Sequence, residues 1–243
     1  MIEFRNVTKY YARVKVLDDV SFTVEEGTQT GLLGPGGAGK SLLIKIAAGL
    51  VRADEGEVYV EGKAVGTMDP VELSTLRLRI GMLFQNYALF DYMTVEENIA
   101  FPLRQEGEQG EEAIRERVAN LLEQVDLSGI QMQYPRELSG GMKKRVTFAR
   151  AIARTPPILL YDDPTAGLDP VTSGKIFVLL EKMRTEEGVT SIVITHDVIG
   201  VRDICDRFVV MDKGKMLFHG TREEIEASEI RLVRQFWDGT SDE

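Results

Sequence analysis

"GPGGAGKS", Gly34 to Ser41, lies between the apolar run "TGLLG" and the helix-like stretch "SLLIKIAAGL". It matches G-x-x-x-x-G-K-[ST] at every position, in the strand–turn–helix context which that pattern requires. Glycines let consecutive backbone N–H groups turn toward one anion, an approach that side chains would obstruct. The helix that follows directs its positive end at the same point. Gly34, Pro35, Gly36, Gly37, Ala38, Gly39, Lys40, Ser41 and Leu42 are therefore the expected phosphate-binding residues. Lys40 is placed to reach the terminal phosphates, and the Ser41 hydroxyl to hold Mg²⁺. The competing reading, a Gly-rich turn that happens to precede a helix, is weak against a full eight-residue match.

Outward from this loop, strand-like and helix-like segments alternate. The runs "IEFRNV", "TGLLG", "GEVYVEGKAV" (a hairpin turning at Glu61-Gly62), "IGMLF", "PILLYD", "TSIVIT" and "DRFVVM" read as strands. "VTSGKIFVLLEKMRTEEG", after Pro170, reads as a helix. The alternation predicts an α/β core with a largely parallel sheet. Residues 95–153 break it: they carry helix signals only. In "AIRERVANLLEQVDL", Ile114, Val118, Leu121, Leu122 and Val125 share one helical face. That predicts a single domain over 1–239, with a core of 1–94 and 154–227, an inserted helical subdomain at 95–153, and a tail at 228–243. The acidic "EGEQGEE" at 106–112 reads as a solvated loop and helix start.

The chain has 243 residues, 43% hydrophobic and 28% charged, and a net charge of −10. An acidic surface of this kind repels nucleic acid, and "KKR" at 143–145 is too short for a basic arm. The N-terminal stretch lacks a signal-peptide pattern, and no run approaches the roughly 18 apolar residues of a membrane span. A lone cysteine, Cys205, fits a reducing cytoplasm and reads as a small buried hydrophobe.

"ILLYDDPTAGLDP", Ile158 to Pro170, ends an apolar run on two carboxylates. Asp162 is the expected Mg²⁺ ligand opposite Ser41. Adjacent strand residues project to opposite sides, which leaves Asp163 the neighbouring task of positioning and deprotonating the attacking water.

"ELSGGMKKRVTFARAIARTP", Glu137 to Pro156, resembles the L-S-G-G-x signature of ATP-binding cassette proteins. The resemblance runs over nearly the whole chain and implies the P-loop ABC ATPase fold: a largely parallel sheet, an antiparallel β part and a helical insertion. It implies ATP and Mg²⁺ as ligands. It also implies a head-to-tail homodimer, in which Ser139, Gly140, Gly141 and Met142 reach the partner's ATP. By the same resemblance Tyr11, with Val16 beside it, stacks on adenine, Tyr10 being the weaker candidate. Gln85 joins Mg²⁺ and the attacking water to the helical subdomain. Ala166, Gly167, Leu168 and Asp169 communicate across the dimer, and His196 contacts the γ-phosphate. His219 matches nothing in the pattern and reads as structural.

Three features resemble the ATPases of MCE-type lipid transporters, the Mla or organic-solvent-resistance class. They are "MLFQNYALFDYMTVEENIAFPLR", methionine at 142, and the tail "RLVRQFWDG". The subgroup implies phospholipid cargo, a separate membrane permease docked near Gln85 to Tyr92, further MCE-system subunits, and a place on the cytoplasmic face of the inner membrane. The aromatic "YALFDYM" reads either as that docking patch or as subdomain core. The tail is either a helix packed on its own domain or a contact with the other protomer.

Asp163 departs from the family pattern, which has glutamate there. Aspartate withdraws the carboxylate by about 1.5 Å, and a misplacement near 1 Å costs on the order of 10²-fold in rate. Slow but real hydrolysis is the favoured expectation. The alternative is an ATP-dependent clamp with little turnover. A cassette acting on DNA or the ribosome fits poorly, because the chain carries neither a long coiled-coil insertion nor a second cassette.

Overall fold

The computed structural model describes residues 1–107 and 110–239. Residues 108–109 of the acidic stretch and 240–243 of the tail lie outside the described residues. Ten strands and nine α-helices follow in order within them: β1 Ile2–Tyr11, β2 Val14–Val24, β3 Gln29–Leu33, α1 Lys40–Ala47, β4 Glu55–Val60, β5 Lys63–Ala64, α2 Pro70–Leu78, β6 Ile80–Leu83, α3 Val95–Glu106, α4 Glu111–Gln124, α5 Gly140–Ala151, β7 Ile158–Asp162, α6 Pro170–Thr185, β8 Thr190–Ile194, α7 Val198–Arg202, β9 Arg207–Asp212, β10 Lys215–Thr221, α8 Arg222–Glu226 and α9 Arg231–Asp238.

The central sheet has the order β10-β9-β3-β8-β7-β6. Its inner pairings are parallel, and β10 closes one edge antiparallel to β9. Both faces are covered, so its strands are nearly continuous apolar runs whose alternate residues enter different cores. Leu32, Ile158, Leu160, Ile192, Ile194, Val209 and Met211 pack with α1 and with the antiparallel sheet β2-β1-β4-β5. Leu33, Leu159, Tyr161, Val193, Phe208 and Val210 pack on the other side with α4, α5, α6 and α9. The β4–β5 hairpin turns at Glu61-Gly62, where both residues have positive φ.

From 95 to 153 the described residues are helical or irregular. Ile114, Val118, Leu121, Leu122 and Val125, assigned to one helical face, are all buried. In the tail helix Val233 and Trp237 are buried, and the Trp237 ring meets Phe208 edge-on at 4.9 Å. The Arg202 guanidinium covers the same indole at 4.4 Å. The tail helix α9 therefore packs on its own domain. Among the described residues no helix is long and apolar enough to cross a membrane.

Cys205 is buried behind β3, as its small apolar character predicts. Burial, reinforced by the neighbouring Asp206 charge, pushes its thiol well above the usual range, so the reactive thiolate is scarce. A thiol reagent at mildly alkaline pH is expected to label Cys205 only at the rate of unfolding. Labelling of the native protein at a free-thiol rate would show that this core opens.

Candidate active site

Four parallel strands, β3, β8, β7 and β6, lie side by side, and the chain leaving the carboxyl end of each supplies part of one cleft. Ligand sites of open α/β sheets form at such ends. The cleft measures about 460 Å³ and is lined by Tyr11, Val16, Gly36, Gly37, Ala38, Gly39, Lys40, Ser41, Leu42, Lys45, Gln85, Asp162, Asp163, Ile194 and His196. Residues up to 185 positions apart in sequence thus meet here, counting from Tyr11 to His196. Lys45 and Ile194 join the set without any motif to announce them.

The loop after β3 is shaped by backbone. Gly39 has φ 95°, and a Cβ there would strike the Leu17 side chain and the Val16 carbonyl. At Gly36 and Gly37 a Cβ would meet no protein atom within 4 Å, so these two face open cleft. Helix α1 begins without a side-chain cap and without an acidic residue in its first turn. By contrast α2, α3, α5 and α6 are capped by Asp69, Thr94, Ser139 and Asp169. The first N–H groups of α1 are thus left for an anion from outside the chain. Gly34 and Pro35 do not line the cleft; their carbonyls accept hydrogen bonds from Lys40 Nζ at 2.6 and 2.8 Å.

Ser41 Oγ donates to Asp162 Oδ1 at 2.7 Å. Hydroxyl and carboxylate oxygens at one point, with Gln85 lining the same cleft, make a hard, oxygen-rich donor set of the kind Mg²⁺ takes. Asp163 departs from the expected geometry. It does not continue the strand and point to the opposite face. Its φ is 52°, so the chain turns at the end of β7 and both carboxylates line the same cleft. Its N–H donates to the Ile194 carbonyl at 2.9 Å, fixing the turn against β8. Burial raises the Asp163 carboxyl above the usual range; His196, Lys144 and Lys40 oppose the shift, and Asp162 reinforces it. His196 Nε2 stands 3.9 Å from Asp163 Oδ2 on an exposed side chain. Burial also lowers the Lys40 ammonium, against the pull of Asp163 and Asp162.

Tyr11 is half exposed and lines the cleft, whereas Tyr10 turns away and its N–H donates to Asp54 at 2.6 Å. Ser139 and Gly140 lie exposed at the start of α5, with Gly141 and Met142 half-buried behind them, outside this cleft. Ala166 to Asp169 also lie outside it. Asp169 caps α6 through the Val171 and Thr172 N–H groups, each at 3.0 Å. In "YALFDYM", Leu89 packs against the core, Phe90 meets Phe101 at 5.0 Å with both rings half-buried, and Tyr92 stays exposed, so one stretch supplies both core packing and surface. His219 packs beside Phe22 at 6.0 Å and does not line the cleft.

One buried charge has no counterpart in the sequence reading. Lys144 is 1% exposed, and its ammonium donates to the carbonyls of Gln85 and Asp163. "KKR" is therefore not a basic patch, because its middle member points into the protein beneath the cleft.

The sequence profile of a family described as "ABC transporter" matches residues 17–166. A methionine import ATP-binding protein, MetN, of Carboxydothermus hydrogenoformans is 43% identical over 228 residues, covering 93% of this chain and 67% of that protein. The intermembrane phospholipid transport system ATP-binding protein, MlaF, of Escherichia coli K12 is 36% identical over 242 residues, covering 100% of this chain and 90% of that protein. A solved dimeric ATP-binding cassette in a post-hydrolysis state, bound to ADP and Pi, superposes with a TM-score of 0.87 at 34% identity. The match covers 91% of this chain and 99% of that one.

Proposed function

The chain belongs to the ABC transporter family of ATPases, and we propose that it is the motor subunit of a phospholipid transporter with an MCE-type permease complex. The observation that carries the cargo assignment is the match to a phospholipid transport ATPase through the whole chain, tail helix included. The methionine at 142 and the segment after Gln85 support the same reading.

In this reading the N–H groups of Gly36 to Ser41 and the start of α1 bind the β- and γ-phosphates, and Tyr11 with Val16 receives adenine. Lys40 exchanges its two loop carbonyls for phosphate oxygens. Ser41, Asp162 and Gln85 would hold Mg²⁺, which when bound draws charge from the phosphate oxygens. Asp163 accepts a proton from the attacking water, whose oxygen bonds to the γ-phosphorus as the bond to ADP breaks. His196 supports the γ-phosphate from the β8 side. Two copies bind head to tail, so that Ser139 to Met142 of each completes the other's site, with Ala166 to Asp169 at the seam. Exposed Tyr92 and its neighbours back to Gln85 seat a permease, which places the protein on the cytoplasmic face of the inner membrane. Further MCE-system subunits complete the complex, and nucleic acid plays no part.

A second reading, import of an amino acid, draws on the higher identity to the methionine import protein. The two separate in proteoliposomes built with whatever permease co-purifies from native membranes. Phospholipid transfer that depends on ATP, with turnover indifferent to methionine, is the expected result. Methionine-stimulated turnover without lipid transfer would move the assignment to the second reading.

A further inference from the structure

The buried ammonium of Lys144 sits where two loops of the cleft must be held in register. The last ladder pair between β6 and β7 is Leu83 with Tyr161. Beyond it the two chains part, one running to Gln85 and the other to Asp163. Lys144 Nζ bridges them, donating to the Gln85 carbonyl and the Asp163 carbonyl, each at 3.0 Å. Its third side faces the Tyr87 ring, 5.3 Å from the centroid. An ammonium has three donors and no acceptor, so two carbonyls and a π face use its full capacity.

The rest of this helix face is committed to the same segment. The Thr147 hydroxyl shares its one proton between the Lys143 carbonyl of its own helix at 2.8 Å and the Tyr87 carbonyl at 3.1 Å, and Arg150 reaches the carbonyls of Ala88 and Tyr87 at 2.7 and 3.2 Å. Tyr87 and Ala88 both have positive φ, as does Asp163. Residues 144, 147 and 150 thus pin a strained loop to α5 at helical spacing. Lys144 alone also reaches the Asp163 turn. A buried cation is costly where an apolar side chain of similar size would fill the space, so packing gives no reason for a lysine here.

We propose that Lys144 is a positioning residue for hydrolysis: it fixes the main chains of Gln85 and Asp163 relative to one another and ties both to α5. The proposal rests on the reading of Asp163 as the carboxylate that takes the water's proton. Lys144 lies one turn below Gly140, at the exposed start of the same helix. A shift of α5 on contact with another molecule at Ser139 and Gly140 therefore moves Gln85 and Asp163 together.

The test uses the full chain with its permease, comparing Lys144→Met, Lys144→Gln, Lys144→Arg and Asp163→Asn. Turnover at saturating Mg-ATP, KM, and the affinity for a fluorescent ATP analogue are measured for each. Lys144→Met is expected to lower kcat by about 10²-fold, the cost of a misplacement near 1 Å, while KM and ATP affinity change less than about threefold. Lys144→Arg keeps charge and donors and is expected to recover at least about tenfold of that loss. Lys144→Gln, which is neutral, falls between them. A Lys144→Met kcat within about twofold of wild type overturns the proposal, and so does an equal fall in ATP affinity and kcat. Should Lys144→Met fail to fold, Lys144→Gln at the wild-type rate overturns it alone. Wild-type turnover in Asp163→Asn removes the underlying reading, and the proposal with it; loss of turnover there beside an unaffected Lys144→Met removes the proposal only.

Discussion

Asp163→Asn is expected to bind ATP as wild type does and to hydrolyse it about 10²- to 10⁴-fold more slowly, the contribution of a positioned general base. The substitution is close to isosteric and removes only the proton acceptor. It also respects the backbone: at φ 52° asparagine is among the few residues that tolerate the left-handed region as aspartate does. Loss of turnover is thus not attributable to a refolded turn. The carboxyl is raised by burial, which makes it a better base than an exposed aspartate. Phosphate release under saturating Mg-ATP, beside equilibrium nucleotide binding, gives the answer. A rate equal to wild type would make the site a clamp.

Asp163→Glu separates length from charge. The longer side chain extends the carboxylate by about 1.5 Å, in a cleft where His196 Nε2 now stands 3.9 Å from Asp163 Oδ2. It also places a less tolerant residue at positive φ, at a cost of about 1 kcal/mol. Retained turnover with a slightly lower melting temperature is the expected outcome. The shorter aspartate then counts as an accommodation to the turn at the end of β7.

The parts of the fold that were legible in the sequence are those whose signals are local. The loop from Gly34 to Ser41 announced a strand before it and a helix after it, because its glycines and Lys-Ser pair have one joint use. The parallel strands read as apolar runs, since both their faces are covered. β2 is not legible in the sequence, for a physical reason. Val20, Phe22 and Val24 alternate correctly, but the next buried residue is Leu17, three positions away, where Asp19 adopts φ 57° and the register with β1 slips. A bulge moves the apolar set to the other phase, and a period-2 reading stops there. β10 is a half-buried edge strand, and α2 buries only Leu76, so neither carries a strong period. In the cleft, the residues attached to a motif are legible in the sequence. For Asp163 the strand alternation predicts the opposite side of the sheet, but the strand ends one residue earlier, at Asp162. Lys144 could not be found at all: both its acceptors are main-chain carbonyls, 59 and 19 residues away, and a carbonyl leaves no mark in a sequence.

Lys40→Met is expected to weaken Mg-ATP binding by about 30- to 4,000-fold. Removing one partner of a buried charged contact costs about 2–5 kcal/mol, and each 1.4 kcal/mol is tenfold. Methionine keeps the unbranched stem, so the walls of the cleft stay in place and the deficit belongs to the ammonium. Without nucleotide the same change costs the fold little. The ammonium is buried and lowered in pKa, and among the described residues it donates to the Gly34 and Pro35 carbonyls, which lie behind the cleft lining. The desolvation relieved offsets the hydrogen bonds lost, which leaves the nucleotide-free melting temperature unchanged or slightly raised. The effect appears on adding Mg-ATP: wild type gains stability as RT ln(1 + [L]/Kd), and Lys40→Met gains almost none at the same concentration. A variant that melts early without nucleotide, yet still responds to ATP, would assign Lys40 to the scaffold of the loop and leave the phosphates to the backbone N–H groups alone.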